Sequence, residues 1–475
     1  MGVLKSSVRL YASPNAVIAN FLQLPGTDRV KNVISRIQRL TAEQVAQLAR
    51  ELVLDYGKRH RDIETIFTEN VGRATVDCQD AINGFSKERK LLLGAYFTKE
   101  YSIQAAALFN PSIVKHPNQG NLNAGEQRFV MSLRATGEGH ISSIVFKTGI
   151  IDDALNIRLD ESTGYHTPLK KNSRVMYNKE FIQQRIKDVS PINTSVLNEL
   201  PEKFTAEELR RQLHNANKGN TAPTLFNELE NVLDSNYELE ARSIPLSERV
   251  IFPTARIESM GMEDVRFVRF EDSGRTVYYG TYTAYNGKEI RTQLIETDDF
   301  ESFNVRTLYG AAVSDKGMAL FPEKVNGNYV MISRQGGEKI NIMFSEDMYF
   351  WNTFQTLLEP QFAWEFTQLG NCGSPVKTEK GWLLLTHGVG PMRTYVISAI
   401  LLDLNNPSKV IARLNKPLIQ ADATEREGYV PNVVYTCGLL CHNNFLIIPY
   451  AVSDSATGFV TISLQELLAE MTLNS

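Results

Sequence analysis

From residue 246 to 463 the chain is a succession of short strand-like runs separated by turn residues. Comparable units recur about every 50 to 60 residues, centred on Asp264, Phe321, Gly373 and Pro431. Val277-Tyr278-Tyr279-Gly280-Thr281-Tyr282-Thr283-Ala284-Tyr285 is typical: aromatic and β-branched residues that suit a pleated surface, ended by the turn pair Asn286-Gly287. Four-stranded propeller blades have this spacing. The repeat is one of texture rather than of residue identity, and a β-sandwich satisfies the same pattern.

Residues 91–154 share the texture, with Arg128–Arg134 and His140–Phe146 as strands around Gly137-Glu138-Gly139. Two segments break it. Residues 1–90 read as a helical N-terminal extension. There Thr41-Ala42-Glu43-Gln44 forms a capping box, Val45, Leu48, Ala49 and Leu52 lie on one stripe, and Gly57 ends the helix. Residues 155–245 read as a helical insertion, with a second capping box at Thr205-Ala206-Glu207-Glu208 and Leu209, Leu229 and Val232 beyond it. The expected organisation is therefore extension 1–90, first blade region 91–154, insertion 155–245 and the remaining blades 246–475. Extension and insertion are the segments placed to narrow an entrance or to join subunits, so a homo-oligomer is among the expectations.

Composition removes whole classes of function. A net charge of −4 leaves no global pull toward nucleic acid, and no apolar run reaches membrane-spanning length. The N-terminus lacks the apolar core of a signal peptide, and Cys78, Cys372, Cys437 and Cys441 outline no disulfide framework, so the expected compartment is the cytoplasm. No cluster has metal-ligand spacing and no glycine-rich loop opens a helix, so neither metal nor nucleotide cofactor is expected.

The chemistry concentrates in Gly261-Met262-Glu263-Asp264-Val265-Arg266-Phe267-Val268. In a regular strand Asp264, Arg266 and Val268 share one face while Glu263, Val265 and Phe267 share the other. An acid and a base on one face can orient a polyhydroxylated ligand and deliver a proton to it. The same pair also fits a solvated ion pair.

Taken in order, Asn110-Pro111-Ser112, Glu263-Asp264-Val265-Arg266, Leu320-Phe321-Pro322-Glu323-Lys324, Gly381–Val389, Leu401-Leu402-Asp403-Leu404 and Glu427–Val434 resemble glycoside hydrolase family 130, phosphorylases and hydrolases of β-mannosides. The resemblance covers about 91–154 and 246–463. It implies a five-bladed β-propeller with the active site in its central depression, and Asp264 as general acid acting through a hydroxyl of the mannosyl unit. Phosphate, or water in the hydrolases, would attack from the opposite face with inversion.

Arg334 and His387 fall where the family's phosphorylases bind the anion. Arg393 joins them on the strength of its Gly390-Pro391 loop. Asn110, Arg134, Tyr395 and Asp454 match sugar-binding positions, and Arg266 joins them from the strand-face reading. His140, beside Arg134 in a turn, and the aromatics Tyr282 and Trp364 are further candidates for sugar contact.

Two departures weigh against phosphate. Gln335 stands where the family's phosphorylases carry Asn, and Gln368 where they tend to carry Lys. A hydrolase would need a second carboxylate, for which Glu365, Glu425 and Glu427 are available. Three readings result: an inverting β-mannoside phosphorylase releasing α-mannose 1-phosphate with phosphate as co-substrate, an inverting β-mannosidase, or a non-catalytic carbohydrate-binding propeller.

Overall fold

Five antiparallel meanders, each built around a long central pair of strands, stand around a common axis in the computed structural model, which describes residues 2–172, 175–189, 195–216, 223–241 and 243–473. Blade 1 comprises Ala107–Lys115, Gln127–Thr136, Ser142–Ile151 and Ile157–Leu159. Blade 2 comprises Gly261–Asp272, Arg275–Tyr285, Ile290–Thr297 and Ser302–Thr307. Blade 3 runs from Ala319–Leu320 through Tyr329–Ser333 and Ile340–Ser345 to Gln355–Leu358. Blade 4 is centred on Gly381–Val389 and Tyr395–Leu402, and blade 5 on Phe445–Val452 and Ala456–Ser463. The ring closes where blade 5 meets blade 1: Cys437 N–H donates to the Pro111 carbonyl at 2.8 Å and the Thr457 hydroxyl to the Leu108 carbonyl at 3.2 Å.

Period-2 alternation explains why the blades read as near-continuous apolar runs. All nine residues of Gly381–Val389 are buried, because neighbouring blades cover both faces. Trp382 and Leu384 pack with Phe321, Val330 and Ile342 toward blade 3, while Leu383 and Leu385 pack with Val434 and Ile448 toward blade 5. Each buried leucine contributes about 1.5–3 kcal/mol of transfer free energy, so the interblade cores carry the fold. One end of the axis opens into a cavity of about 320 Å³ lined from every blade, by Val114, Val268, Pro322, Val376 and Leu439 among others. The other end holds the depression described below.

The two expected additions need correction. Helices do fill much of 1–90 (Thr27–Gln38, Ala42–Tyr56, Ile63–Ala74), and Thr41 and Gln44 exchange both bonds of a capping box at 3.2 and 2.9 Å. Val45 and Ala49 are buried, but Leu48 lies exposed. The extension is not wholly helical: Val3–Lys5 and Leu10–Tyr11 pair with Ala456–Ser463 and complete the outside of blade 5. That contact ties the two ends of the chain together and gives the last blade its outer strand.

The interval 155–245 likewise mixes classes. The helices Lys179–Val189, Ala206–Ala216 and Pro223–Ser235 are there, and Thr205 caps the second by accepting from Glu208 N–H at 3.3 Å. Ile157–Leu159, however, belongs to blade 1, and Tyr237–Glu240 pairs with Ser302–Thr307 as an added outer strand of blade 2. No helix among the described residues is long and apolar enough to cross a membrane.

Candidate active site

The innermost strand of blade 2 breaks its own alternation. Gly261–Asp272 pairs regularly with Arg275–Tyr285 except between Glu263 and Arg266, where the register slips by a bulge and Asp264 takes φ 54°. Blade 1 repeats the device: its inner strand slips between Phe109 and Ser112, and Asn110 takes φ 48°. Left-handed backbone at a residue with a side chain costs about 1–3 kcal/mol and persists where the surroundings enforce it, and a bulge re-aims a side chain. Here both bulges aim at one point: the Asn110 amide donates to Asp264 Oδ1 at 2.7 Å.

The bulge overturns the face assignment drawn from strict alternation. Glu263 and Asp264 both turn into the depression and share Arg134, which donates to Asp264 at 3.2 Å and to Glu263 at 3.0 Å. Lys316 donates to the other Glu263 oxygen at 2.6 Å. Arg266 is 2% exposed and lies beneath the floor, not on it. It donates to the Asp264 carbonyl at 2.9 Å and to the Tyr435 hydroxyl at 2.7 Å. Arg266 is therefore a brace of the bulge rather than a sugar contact.

The depression encloses about 320 Å³ and brings together most of the residues singled out from sequence: Asn110, Arg134, His140, Asp264, Arg334, Gln368, His387, Arg393, Tyr395 and Asp454 line it. Phe109, Glu263, Lys316, Tyr429 and Tyr435 line it too and were missed. For Lys316 a signal existed, since Asp315-Lys316-Gly317 lies two residues before the Leu320-Phe321-Pro322 motif.

Charge is distributed unevenly. Burial disfavours the Asp264 carboxylate, yet Arg134, Arg266, the Asn110 amide and Lys316 together outweigh it and hold Asp264 below the usual aspartate range. Asp454, at left-handed φ 49° in the turn before Ala456–Ser463, goes the other way. Burial and the negative Asp264 push it up to about 6 against the pull of Arg134 and Arg393.

A second cluster joins blades 3 and 4, Arg334 directly after Tyr329–Ser333 and His387 within Gly381–Val389. His387 is fully buried, and burial together with Arg334 and Arg266 drives it far below the ordinary histidine value, so it is neutral. Arg334 Nη1 lies 3.1 Å from His387 Nε2. A guanidinium only donates, so Nε2 accepts and the ring proton resides on Nδ1. Tyr395 lies parallel to the imidazole at 5.9 Å and Tyr435 meets it edge-on at 5.0 Å. Gly370 makes the meeting sterically feasible: a Cβ there would fall 2.4 Å from His387 Cε1 and 2.9 Å from Arg334 Cδ.

Arg393 is presented by the loop Gly390–Arg393, whose backbone duplicates Gly137–His140 of blade 1. Each has an extended glycine, then a short helical turn, then left-handed residues ending on the one that faces the depression.

The remaining candidates take structural places. Glu365 is buried and held by Arg413 at 2.9 and 3.1 Å, and Glu425 is buried and held by Lys5 and Arg9 at 2.7 Å each. Glu427 is exposed and does not line the depression. The Gln335 amide donates to the Ala312 carbonyl at 2.7 Å and packs away from the cavity. Tyr282 is buried against Glu258, and Trp364 stacks on Phe362. Among the described residues no group of three or more His, Cys, Asp or Glu is placed to hold a metal.

Comparison with known proteins fits this geometry. The profile of glycoside hydrolase family 130, described as beta-1,4-mannooligosaccharide phosphorylase, matches residues 225–473. Two proteins of Thermoanaerobacter sp. (strain X514) are each 33% identical to this chain. One is a 1,2-beta-oligomannan phosphorylase, aligned over 44% of this chain and 71% of its own, and the other a beta-1,2-mannobiose phosphorylase, aligned over 44% and 69%. A solved structure of a beta-1,2-mannobiose phosphorylase from Listeria innocua superposes with a TM-score of 0.46 at 20% identity, covering 77% of this chain and 92% of that one. A profile match over more than half of the sequence, joined by relatives of which this chain covers more than two thirds, establishes that the protein is a member of glycoside hydrolase family 130.

Proposed function

We propose that the protein is an inverting phosphorylase that cleaves β-mannosides with inorganic phosphate and releases α-mannose 1-phosphate. The observation that carries this reading is Arg334. It is a guanidinium in the floor of the depression whose Nε is buried without a partner, and no carboxylate pairs with it among the described residues. Arg134 is matched by Glu263 and Asp264 and Arg413 by Glu365, while Arg266 lies beneath the floor and spends its fork on the Asp264 carbonyl and the Tyr435 hydroxyl. A half-buried cation left without a counter-charge is a seat for an anion. Gln368 and Tyr395 beside it supply hydrogen bonds that a phosphate can use, and neutral His387 orients the Arg334 fork by accepting from it.

Asp264 faces the leaving side. A phosphate oxygen would form the new bond to the anomeric carbon as the glycosidic C–O bond breaks, and the proton from Asp264 would reach the departing oxygen through a mannosyl hydroxyl. Cations hold Asp264 deprotonated in the free site. Phosphate on Arg334 brings negative charge close to it and raises its proton affinity, so loading of the co-substrate favours the acid form. A hydrolase would need a base beside the Arg334 cluster. Glu365, Glu425 and Glu427 are all elsewhere, and the carboxylates that do line the depression are Glu263, Asp264 and Asp454. Incubation with β-1,2-, β-1,3- and β-1,4-linked mannobioses, with and without phosphate, tests the reading. Mannose 1-phosphate from at least one linkage is expected. Free mannose formed equally well without phosphate would make it a mannosidase, and binding without turnover a lectin-like propeller.

Two further outcomes are expected. Gly370→Ala should raise KM for phosphate about tenfold or more, because the new methyl must push His387 or Arg334 aside. KM for the mannoside should change far less. Asp454→Asn removes a negative neighbour of Asp264, which lowers the proton affinity of Asp264. The alkaline limb of the kcat/KM profile should therefore move to lower pH, by roughly half a unit or more; a limb displaced upward would contradict the arrangement.

A further inference from the structure

The rim of the depression carries an aromatic ring that the reaction so far leaves without a task. Tyr429 is 53% exposed and lines the same cavity as Asp264 and Asp454. It does not hang freely. Its hydroxyl shares a hydrogen bond with His140 Nδ1 at 3.0 Å, and the two rings lie 5.8 Å apart, tilted by 32°. His140 comes from the blade 1 hairpin and Tyr429 from the loop that leads into blade 5, so the contact bridges two blades over the entrance.

Both partners are built rigidly. His140 takes φ 61° directly after Gly139 at φ 64°. On the other side, Gly428 lies so close to the Asp454 turn that a Cβ would fall 2.4 Å from the Ser453 carbonyl oxygen. Val430 N–H donates to that same carbonyl at 3.0 Å, and Arg426 Nε donates to Asn432 at 2.9 Å. From beneath, buried Glu425 is gripped by Lys5 and Arg9 of the N-terminal segment and by the Tyr450 hydroxyl. The loop is thus fastened at both ends and from below, and it holds an apolar ring face toward solvent. A fixed, exposed aromatic face at the mouth of a sugar site suits the apolar face of a pyranose, with little ordering cost on binding. The mannosyl unit belongs at the enclosed end with Asn110 and Asp264. The ring that Tyr429 meets is therefore the one beyond the scissile bond.

We propose that Tyr429, braced by His140, is the stacking platform for the leaving sugar and so a determinant of acceptor choice; this rests on the phosphorylase reading above. The test is synthesis in the reverse direction, from α-mannose 1-phosphate and a mannose or mannobiose acceptor, with Tyr429→Ala, Tyr429→Phe and wild type compared. For Tyr429→Ala, KM for the acceptor should rise roughly 3- to 10-fold, with KM for α-mannose 1-phosphate changed less than twofold. Tyr429→Phe keeps the ring and should stay closer to wild type. A folded Tyr429→Ala protein, with wild-type Tm and unaltered acceptor KM, would overturn the platform while leaving the phosphorylase reading intact. A rise confined to KM for α-mannose 1-phosphate would overturn it as well. Wild-type protein that neither forms nor consumes mannose 1-phosphate would overturn both.

Discussion

Asp264→Asn is expected to lower kcat by about 10³-fold, within the range a positioned general acid contributes, while KM for phosphate stays within a few-fold of wild type. Asparagine is the informative replacement because the position demands φ 54°, and asparagine tolerates left-handed backbone better than other residues with a side chain. The bulge therefore survives, Arg134 keeps Glu263 as its counter-charge, and Tm should change little. What disappears is the transferable proton. A mannoside whose leaving group needs no protonation, such as a dinitrophenyl mannoside, should recover much of the lost rate. Equal losses on both substrates would assign Asp264 to sugar binding rather than acid catalysis. A conspicuous drop in Tm would make its role structural.

Arg334→Ala should act on the other half of the reaction. Hydrogen bonds from a charged donor contribute about 1.5–3 kcal/mol each, and a guanidinium gripping phosphate through two of them accounts for a loss of about 10²-fold or more in kcat/KM for phosphate. Mannobiose affinity, measured by calorimetry without phosphate, should be nearly unaltered, since the proposed reading assigns the sugar contacts to Asn110, Arg134 and Asp454. Added guanidinium ion should restore part of the rate. Arg334→Lys should be intermediate at best, because an ammonium cannot match the planar fork. The substitution also relieves His387 of a cation that keeps it neutral, so its titration should move up toward the ordinary range. Loss of mannobiose binding with phosphate affinity preserved would reverse the assignment of the two halves.

Much of this architecture was legible because propeller blades obey local rules. Strands such as Val277–Tyr285 and Gly381–Val389 announce themselves by composition, and turn pairs such as Asn286-Gly287 set their ends. The short motifs also supplied Asp264, Arg334 and His387, which the fold brings to one depression. What was hidden depends on partners distant in sequence. The bulge at Asp264 exists because Asn110, 154 residues earlier, and Arg134 hold it there, and no pattern within Gly261–Phe270 distinguishes it from a regular strand. For that reason Glu263 was assigned to the wrong face and Arg266 to the site. Glu425 offered a plausible base until Lys5 and Arg9, more than 400 residues away, proved to occupy it. Lys5 ends a three-residue strand and Arg9 precedes a two-residue one, both too short to show a period.

The most direct measurement is cleavage of the preferred mannobiose in water enriched in ¹⁸O, with phosphate present and products followed by mass spectrometry and NMR. Attack by the anion seated on Arg334 predicts unlabelled mannose 1-phosphate of α configuration, formed one for one with the phosphate consumed. Mannose carrying ¹⁸O at its anomeric carbon, released at a rate indifferent to phosphate, would show that water is the nucleophile and would contradict it.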